Sequence, residues 1–374
     1  MRRVLMTVSA TALTATGAFA GGIERSTQSV AILFEQGNYM EFSLGSVSPN
    51  VSGVQQVPLL PGQPAGRSSG DMAGDYTTWS LAVKTALTDK LDFALILDEP
   101  IGADVDYGTG TGYAYAGSTA TIDSHALTGL LRYKATPSFS VIGGLRAVQT
   151  EGEVELFNGY AMKSKKETDF GYVLGVAWEK PEIAARVSLT YNSAIDHDFR
   201  VQESVSFGAL VQQNEFTTTI PQSLLLEAQT GIAADTLLFG SVRWVDWSEF
   251  KIAPPLYTQA FLDNLVDYDG DTVTYSIGLG RKFNDTWSGA ITASYEDAIG
   301  GFSGNLGPTD GATSVGLATT YTRGPMKITG GVRYVWLGDT ETEATQLAYP
   351  AGTTFGKFKD NEGVALGLRV GYSF

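Results

Sequence analysis

Towards the C-terminus, apolar and small or polar residues alternate without a break. Val364, Leu366, Leu368, Val370, Tyr372 and Phe374 fall on one face, and Gly363, Ala365, Gly367, Arg369, Gly371 and Ser373 on the other. A period of two is the signature of a β-strand with unlike faces. The pattern recurs along the chain. Trp79, Leu81, Val83 and Leu87 oppose Ser80, Ala82, Lys84 and Ala86; Phe170, Tyr172, Leu174, Val176 and Trp178 oppose Gly171, Gly175 and Glu179. Comparable segments follow at Val187–Tyr191, Val273–Leu279, Trp287–Tyr295 and Ile328–Trp336. The polar face is small, hydroxylic or charged, whereas the apolar face ends in Trp or Tyr.

The connections alternate in length. Short ones stand at Thr88–Lys90, Ala135–Pro137, Lys180–Glu182, Ala233–Asp235, Asn284–Asp285 and Arg323–Pro325. Long ones cover about 48–74, 98–121, 151–168, 199–216, 251–270, 297–311 and 338–361. A soluble sandwich would also alternate, but short turns at one rim, long loops at the other and aromatics at strand ends mark a membrane barrel. Six short turns and seven long loops separate 14 strands, which puts both termini at the short-turn, periplasmic rim. Closure of the ladder removes the free edges that lipid would not tolerate. The expected fold is therefore all-β: a transmembrane antiparallel barrel of about 14 strands with a short N-terminal luminal segment.

Arg2 and Arg3 precede a short apolar stretch that ends in Ala18-Phe19-Ala20. A basic start, an apolar centre and an A-x-A site make a secretory signal peptide, cleaved between Ala20 and Gly21. Its apolar stretch is too short to span ~30 Å of hydrocarbon, and no later run reaches the ~18 apolar residues of a spanning helix. The expected organisation is a signal peptide at 1–20, a short hatch-like segment at 21–37 and the barrel at 38–374.

Composition narrows the function. Asp plus Glu number 40 against 25 Lys plus Arg, a net charge of −15 that becomes −17 once Arg2 and Arg3 are removed. That disfavours nucleic acid as a partner, since phosphate contacts need clustered cations. The chain has no Cys and two His, which excludes thiolate sites and leaves little for imidazole chemistry. Asp123, Ser124 and His125 adjoin, but three neighbours on one strand do not converge into a triad and no Gly-x-Ser-x-Gly elbow exists. In Asp196-His197-Asp198 the carboxylates share one face and the imidazole takes the other, so at most two ligands meet. Asp267–Asp271 lacks the Gly and Glu positions of a calcium loop, and the glycines of Gly108–Gly117 read as flexibility. No enzyme activity, metal or cofactor is expected. A pore, a transporter or a structural barrel remains.

Several segments taken in order resemble the outer-membrane long-chain fatty acid transporter family of the FadL/TodX type. They are Val47–Gly53, Ile220-Pro-Gln-Ser223, Ala234-Asp235-Thr236, Val242–Phe250, Phe283–Ser288, Gly307-Pro-Thr-Asp310 and Tyr372-Ser-Phe374. The resemblance spans nearly the whole mature chain and implies the same strand number. It also implies passive uptake of hydrophobic compounds, fatty acids or aromatic and aliphatic hydrocarbons, by a monomer. Ligand would be captured outside, pass an N-terminal hatch and leave sideways at an inward kink of the third strand. Pro100 and Gly102 are the candidates for that kink, because Pro cannot donate to the ladder and Gly weakens it. The hatch departs from the family: Ser29-Val30-Ala31 stands where the family carries Asn-Pro-Ala.

Ile23, Val30, Ile32, Leu33 and Phe34 could line a ligand site in the lumen. Leu256, Phe261 and Leu265, with Tyr257 and Ala260, have the spacing of an apolar helical face in an external loop that could capture ligand. Lys84, Arg146, Arg186 or Arg333 could meet a carboxylate. The terminal Tyr372 and Phe374 would address the chain to the barrel-assembly machinery, with outer-membrane lipid as its solvent. The competing readings are a diffusion porin for polar solutes, suggested by the short hatch, and a lipid hydrolase resting on His125.

Overall fold

The alternating segments fold as strands of one antiparallel sheet that closes on itself. The computed structural model describes residues 23–58, 64–344 and 349–374; Ala20, Gly21 and the signal segment lie outside them. The barrel has 14 strands. They are β1 (Tyr39–Asn50), β2 (Tyr76–Ala86), β3 (Leu91–Asp98 and Gly102–Asp106), β4 (Thr119–Lys134), β5 (Phe139–Glu155), β6 (Glu167–Lys180) and β7 (Ala185–Asn192 and Ile195–Val205). Then follow β8 (Leu210–Ile220 and Ser223–Ala233), β9 (Thr236–Val245), β10 (Thr272–Lys282), β11 (Trp287–Glu296), β12 (Ala312–Arg323), β13 (Met326–Leu337) and β14 (Glu362–Ser373). β1 pairs with β14 from Tyr39↔Ser373 to Asn50↔Glu362, which closes the cylinder.

The faces sort as the alternation requires. Leu366 and Leu368 on β14, the terminal Phe374, and Phe170, Tyr172 and Leu174 on β6 are exposed around the outside, with Trp287, Trp336 and Tyr372 among the outward aromatics. Outward apolar residues in such numbers suit hydrocarbon, the solvent of a membrane barrel. Among the described residues no helix is long and apolar enough to cross a membrane.

Three of the expected long loops prove shorter. The third strand resumes at Gly102–Asp106 inside the stretch read as loop 98–121, and Ala161–Ser164 adds a strand inside 151–168. The stretch 199–216 is mostly a hairpin: β7 and β8 stay paired out to Val205↔Leu210. Its tip turns through left-handed Ser206, Phe207 and Gly208, a conformation only glycine adopts freely. Here the outward positions Arg200, Gln202, Gln213 and Glu215 are polar while Phe199, Val201 and Phe216 face inward, so the apolar-outward pattern of the lipid-facing strands is inverted.

The external end carries a cap. Gly53–Gln55, Thr340–Glu343 and Thr354–Phe358 form a small sheet. Beneath it Tyr107 stacks on Tyr113 at 5.6 Å, and Phe355 lies edge-on to Tyr113. The loop after β9 holds helix α1 (Pro255–Phe261), as its apolar spacing predicts. Glu203 of β7, fully buried, accepts hydrogen bonds from the backbone N–H groups of Leu256 and Tyr257 at 3.1 Å and from the Tyr160 hydroxyl at 3.0 Å. One carboxylate thereby satisfies donors at the start of α1 and ties the helix to the rim.

Candidate functional site

The N-terminal segment runs through the bore. Ala82 and Ala94 leave room for it, and with Leu130, Ile142 and Val173 they pack around Val30, Ile32 and Leu33, which belong to or adjoin a single 3-10 turn, Ala31–Phe34. Polar contacts fix it to strands around the barrel. Glu24 forms a buried ion pair with Arg243 of β9. Ser26 donates to Asp98 at 2.6 Å, Arg146 of β5 donates to Gln28, Ser29 donates to Glu227 at 2.9 Å and Lys327 reaches Glu35 at 3.1 Å. The Phe34 ring lies between the guanidinium groups of Arg132 and Arg186, each 4.4 Å from its centroid.

At its outer end this segment meets a break in β3. The ladder between β2 and β3 stops at Leu81↔Leu97. Above that pair, Tyr76–Ser80 keep β1 as a neighbour on one side only. On its other side β3 pairs Asp98 with Ala126 and then Gly102 with Asp123 of β4. Four steps along β3 thus match three along β4, a bulge with Pro100 at its centre. The strands rejoin where the Gly74 N–H donates to the Asp104 carbonyl at 2.9 Å. A window in the barrel wall results, bounded by Tyr76–Ser80 and Asp98–Ala103.

The backbone groups stranded by the break have found other partners. The Glu99 carboxylate accepts from the Trp79 N–H at 3.0 Å. Arg25 N–H donates to the Pro100 carbonyl at 2.9 Å, and Gly102 N–H donates to the Ile23 carbonyl at 2.8 Å. The Ser124 hydroxyl accepts from the Ile101 N–H at 2.9 Å and donates to the Ile101 carbonyl at 2.5 Å. Gly102 has a local reason too: a Cβ there would collide with the Arg25 guanidinium.

Two chambers flank the junction of Ile23 and Ile101. The outer one is apolar, walled by Ile23, Ile101, Phe199, Phe216, Phe250 and Leu265 among others, and has no Lys or Arg in its wall. Burial pushes the hydroxyl of Tyr268 on this wall upward, so it remains a phenol at neutral pH. The inner chamber is polar and opens at the window. Arg25, Trp79, Ser80, Asp98, Glu99 and Arg146 line it, and Arg146 keeps two buried guanidinium nitrogens, Nε and Nη2, without a hydrogen-bond partner.

The residues singled out in the sequence are thus dispersed. Ile23 and Leu265 line the apolar chamber, Val30 and Ile32 the polar one, and Phe34 a vestibule at the periplasmic end. Leu33 is enclosed within the packing of the segment. Leu256 is buried, while Phe261 is partly buried against the cap cluster. Pro100 and Gly102 sit at the break itself. Of the basic candidates, Lys84 pairs with Asp92 at 3.0 Å, and Arg186 covers Phe34.

His125 faces outward, 3.8 Å from Glu99, away from the lumen. Asp196 and Asp198 also point outward, accepting from Thr219 and Thr217, while His197 is buried inside. Among the described residues no three His, Asp or Glu side chains gather as a metal site. The sequence reasoning missed Arg25, Glu99 and the surroundings of His197, and it weighed Ser124 only beside His125 and not as the partner of Ile101. Only the face assignment of His197 was available as a signal.

Comparison with known proteins follows the same lines. Residues 7–298 match the profile of the outer membrane protein transport protein family, OMPP1/FadL/TodX. No protein of curated function matches by sequence. A FadL homologue from Pseudomonas aeruginosa superposes with a TM-score of 0.74 at 15% identity over 92% of each chain. The toluene transporter TodX of P. putida does so with 0.63 at 13% identity over 91% of each. At such identities the likeness shows a shared fold.

Proposed function

The chain belongs to the OMPP1/FadL/TodX family of outer membrane transport proteins, and from that premise we propose that it passes neutral hydrophobic compounds from the apolar chamber sideways through the window between β2 and β3. The observation that carries this reading is the break at Pro100. It leaves Tyr76–Ser80 without a second strand, and the hatch residues Ile23 and Arg25 fill the vacancy. Ligand would enter beneath the cap and rest in the apolar chamber. A shift of Ile23–Arg25 away from Ile101 would then connect chamber to window. Outward through the window lies the lipid, so the compound never meets water on its way. Its burial supplies ~25 cal/mol per Å² of apolar surface, and no energy source is needed for movement down a gradient.

A neutral compound suits the chamber better than a carboxylate, because its wall is largely apolar and holds no Lys or Arg among the described residues. One observation favours a second reading, a fatty acid. Arg146 offers unpartnered nitrogens beside the window, where a carboxylate could pause. Transport by a monomer, and insertion through a barrel-assembly machinery that reads Tyr372 and Phe374, complete the proposal.

Deleting Pro100 tests it. The deletion gives β3 the same number of steps as β4 and so lets the ladder run straight past the window. Uptake of labelled toluene by cells should fall at least several-fold while the barrel stays folded, as judged by its heat-modifiable mobility. Unchanged uptake by the folded deletion protein would overturn the lateral route. Oleate transport that falls in Arg146→Met while toluene transport persists would support the fatty acid reading.

A further inference from the structure

His197 is 1% exposed in a largely apolar wall, and nothing in the hatch or the window uses it. Its Nδ1 lies 2.8 Å from Asp169 Oδ2, and its Nε2 lies 3.3 Å from the hydroxyl of Thr150. Thr150 is itself buried and lines the same chamber. The carboxylate can only accept, so Nδ1 carries a proton. Whichever of Nε2 and the Thr150 hydroxyl donates, the hydroxyl oxygen keeps a lone pair for another donor.

The other polar groups of the wall are already committed. Thr218 donates to the Lys251 carbonyl at 2.9 Å, and Ser164 accepts from the Gly152 N–H at 2.8 Å. Glu151 is paired with Lys166 at 3.1 Å, and Asp267 accepts from Asn264 at 2.9 Å. The Asp169–His197–Thr150 chain is the fully buried polar feature of the wall around His197, and the Thr150 oxygen in it has acceptor capacity to spare. It costs desolvation in an apolar wall, which a ligand donor would offset.

We infer that Thr150, set by His197 and Asp169, selects hydrophobic ligands that carry one hydroxyl, such as alkylphenols and alcohols, over hydrocarbons of the same shape. The inference rests on the apolar chamber being the ligand site. An arriving O–H donates to Thr150 Oγ1 while its hydrocarbon part occupies the space beside Phe199 and Phe216. Thr150 and His197 are positioning and selecting groups here; no bond is made or broken.

The test uses p-cresol and p-xylene, which differ by a hydroxyl in place of a methyl. Equilibrium binding of each is measured on the folded, purified barrel in one detergent, for the wild type, Thr150→Val and Thr150→Ser. Valine keeps the shape and loses the hydroxyl, while serine keeps the hydroxyl. The ratio of p-xylene to p-cresol dissociation constants should drop about tenfold in Thr150→Val, the worth of one hydrogen bond, and stay within about twofold of wild type in Thr150→Ser. Binding of p-xylene should persist in both. An unchanged ratio in Thr150→Val, with p-xylene still bound, overturns the selection by Thr150 and leaves the chamber as a ligand site. Absence of saturable binding by either compound to the wild type overturns the chamber as their site, and the inference with it.

Discussion

The guanidinium of Arg25 lies over the ring of Tyr76, 4.2 Å from its centroid, and spans the window left by the break in β3. One partner comes from the luminal segment and the other from the barrel wall. Their contact is the bar across the opening. Behind it the Arg25 guanidinium also fills the space that a Cβ on Gly102 would occupy. Sequence spacing gave no hint of this pairing, because Arg25 and Tyr76 belong to segments with no common period.

Removing the bar should speed passage. A cation–π contact of about 1 kcal/mol corresponds to about a fivefold change in the population of an open window. Arg25→Ala should raise the initial rate of toluene uptake by that order without altering the thermal stability of the barrel. A rate equal to or below the wild type would show that Arg25 is not the barrier.

The hatch should depend on its buried ion pair. Glu24 and Arg243 are each about 4% exposed in their side chains, so losing one leaves the other charged and dry. Such a loss costs about 3–5 kcal/mol. Arg243→Met should therefore free the N-terminal segment, read as protease cleavage within 24–36 in a barrel that remains resistant. The double change Glu24→Leu with Arg243→Met should recover most of the protection, since it removes both charges. Equal protection of wild type and Arg243→Met would show that the apolar packing of Val30, Ile32 and Leu33 holds the segment alone.

The cap should loosen at Glu203. Glu203→Ala leaves the N–H groups of Leu256 and Tyr257 and the Tyr160 hydroxyl without their acceptor. Each buried donor so orphaned costs about 1–3 kcal/mol. Hydrogen exchange across Pro255–Phe261 should accelerate by more than tenfold while exchange in β1 and β14 stays slow. Unaltered exchange in α1 would mean that packing of Tyr257 and Phe261 against Tyr160 suffices.

The last residue tests biogenesis separately from transport. Phe374 is 62% exposed, so its removal leaves no cavity in the fold. Phe374→Ser should lower the amount of barrel in the outer membrane several-fold while purified protein refolds in detergent as the wild type does. Normal levels in the membrane would show that the assembly machinery reads another feature.

The sequence determined the barrel. Lipid outside and a filled bore inside impose one periodicity on every strand, and turn lengths sort the two rims, so strand number and closure were legible from local pattern alone. It also placed helix α1, whose apolar spacing is local, and marked Pro100 and Gly102 as a weak point in the third strand. It failed where pairing rises above the membrane: below the turn at Ser206–Gly208 the outward positions Arg200, Gln202, Gln213 and Glu215 are polar, so the lipid-facing pattern was absent. The chambers, the Arg25–Tyr76 contact and the Asp169–His197–Thr150 chain were decided by tertiary structure. Each joins residues from different strands or from the hatch, and their convergence depends on register, on the bulge at Pro100 and on the path of the N-terminal segment through the bore. Those are properties of closure, which no single stretch of sequence contains.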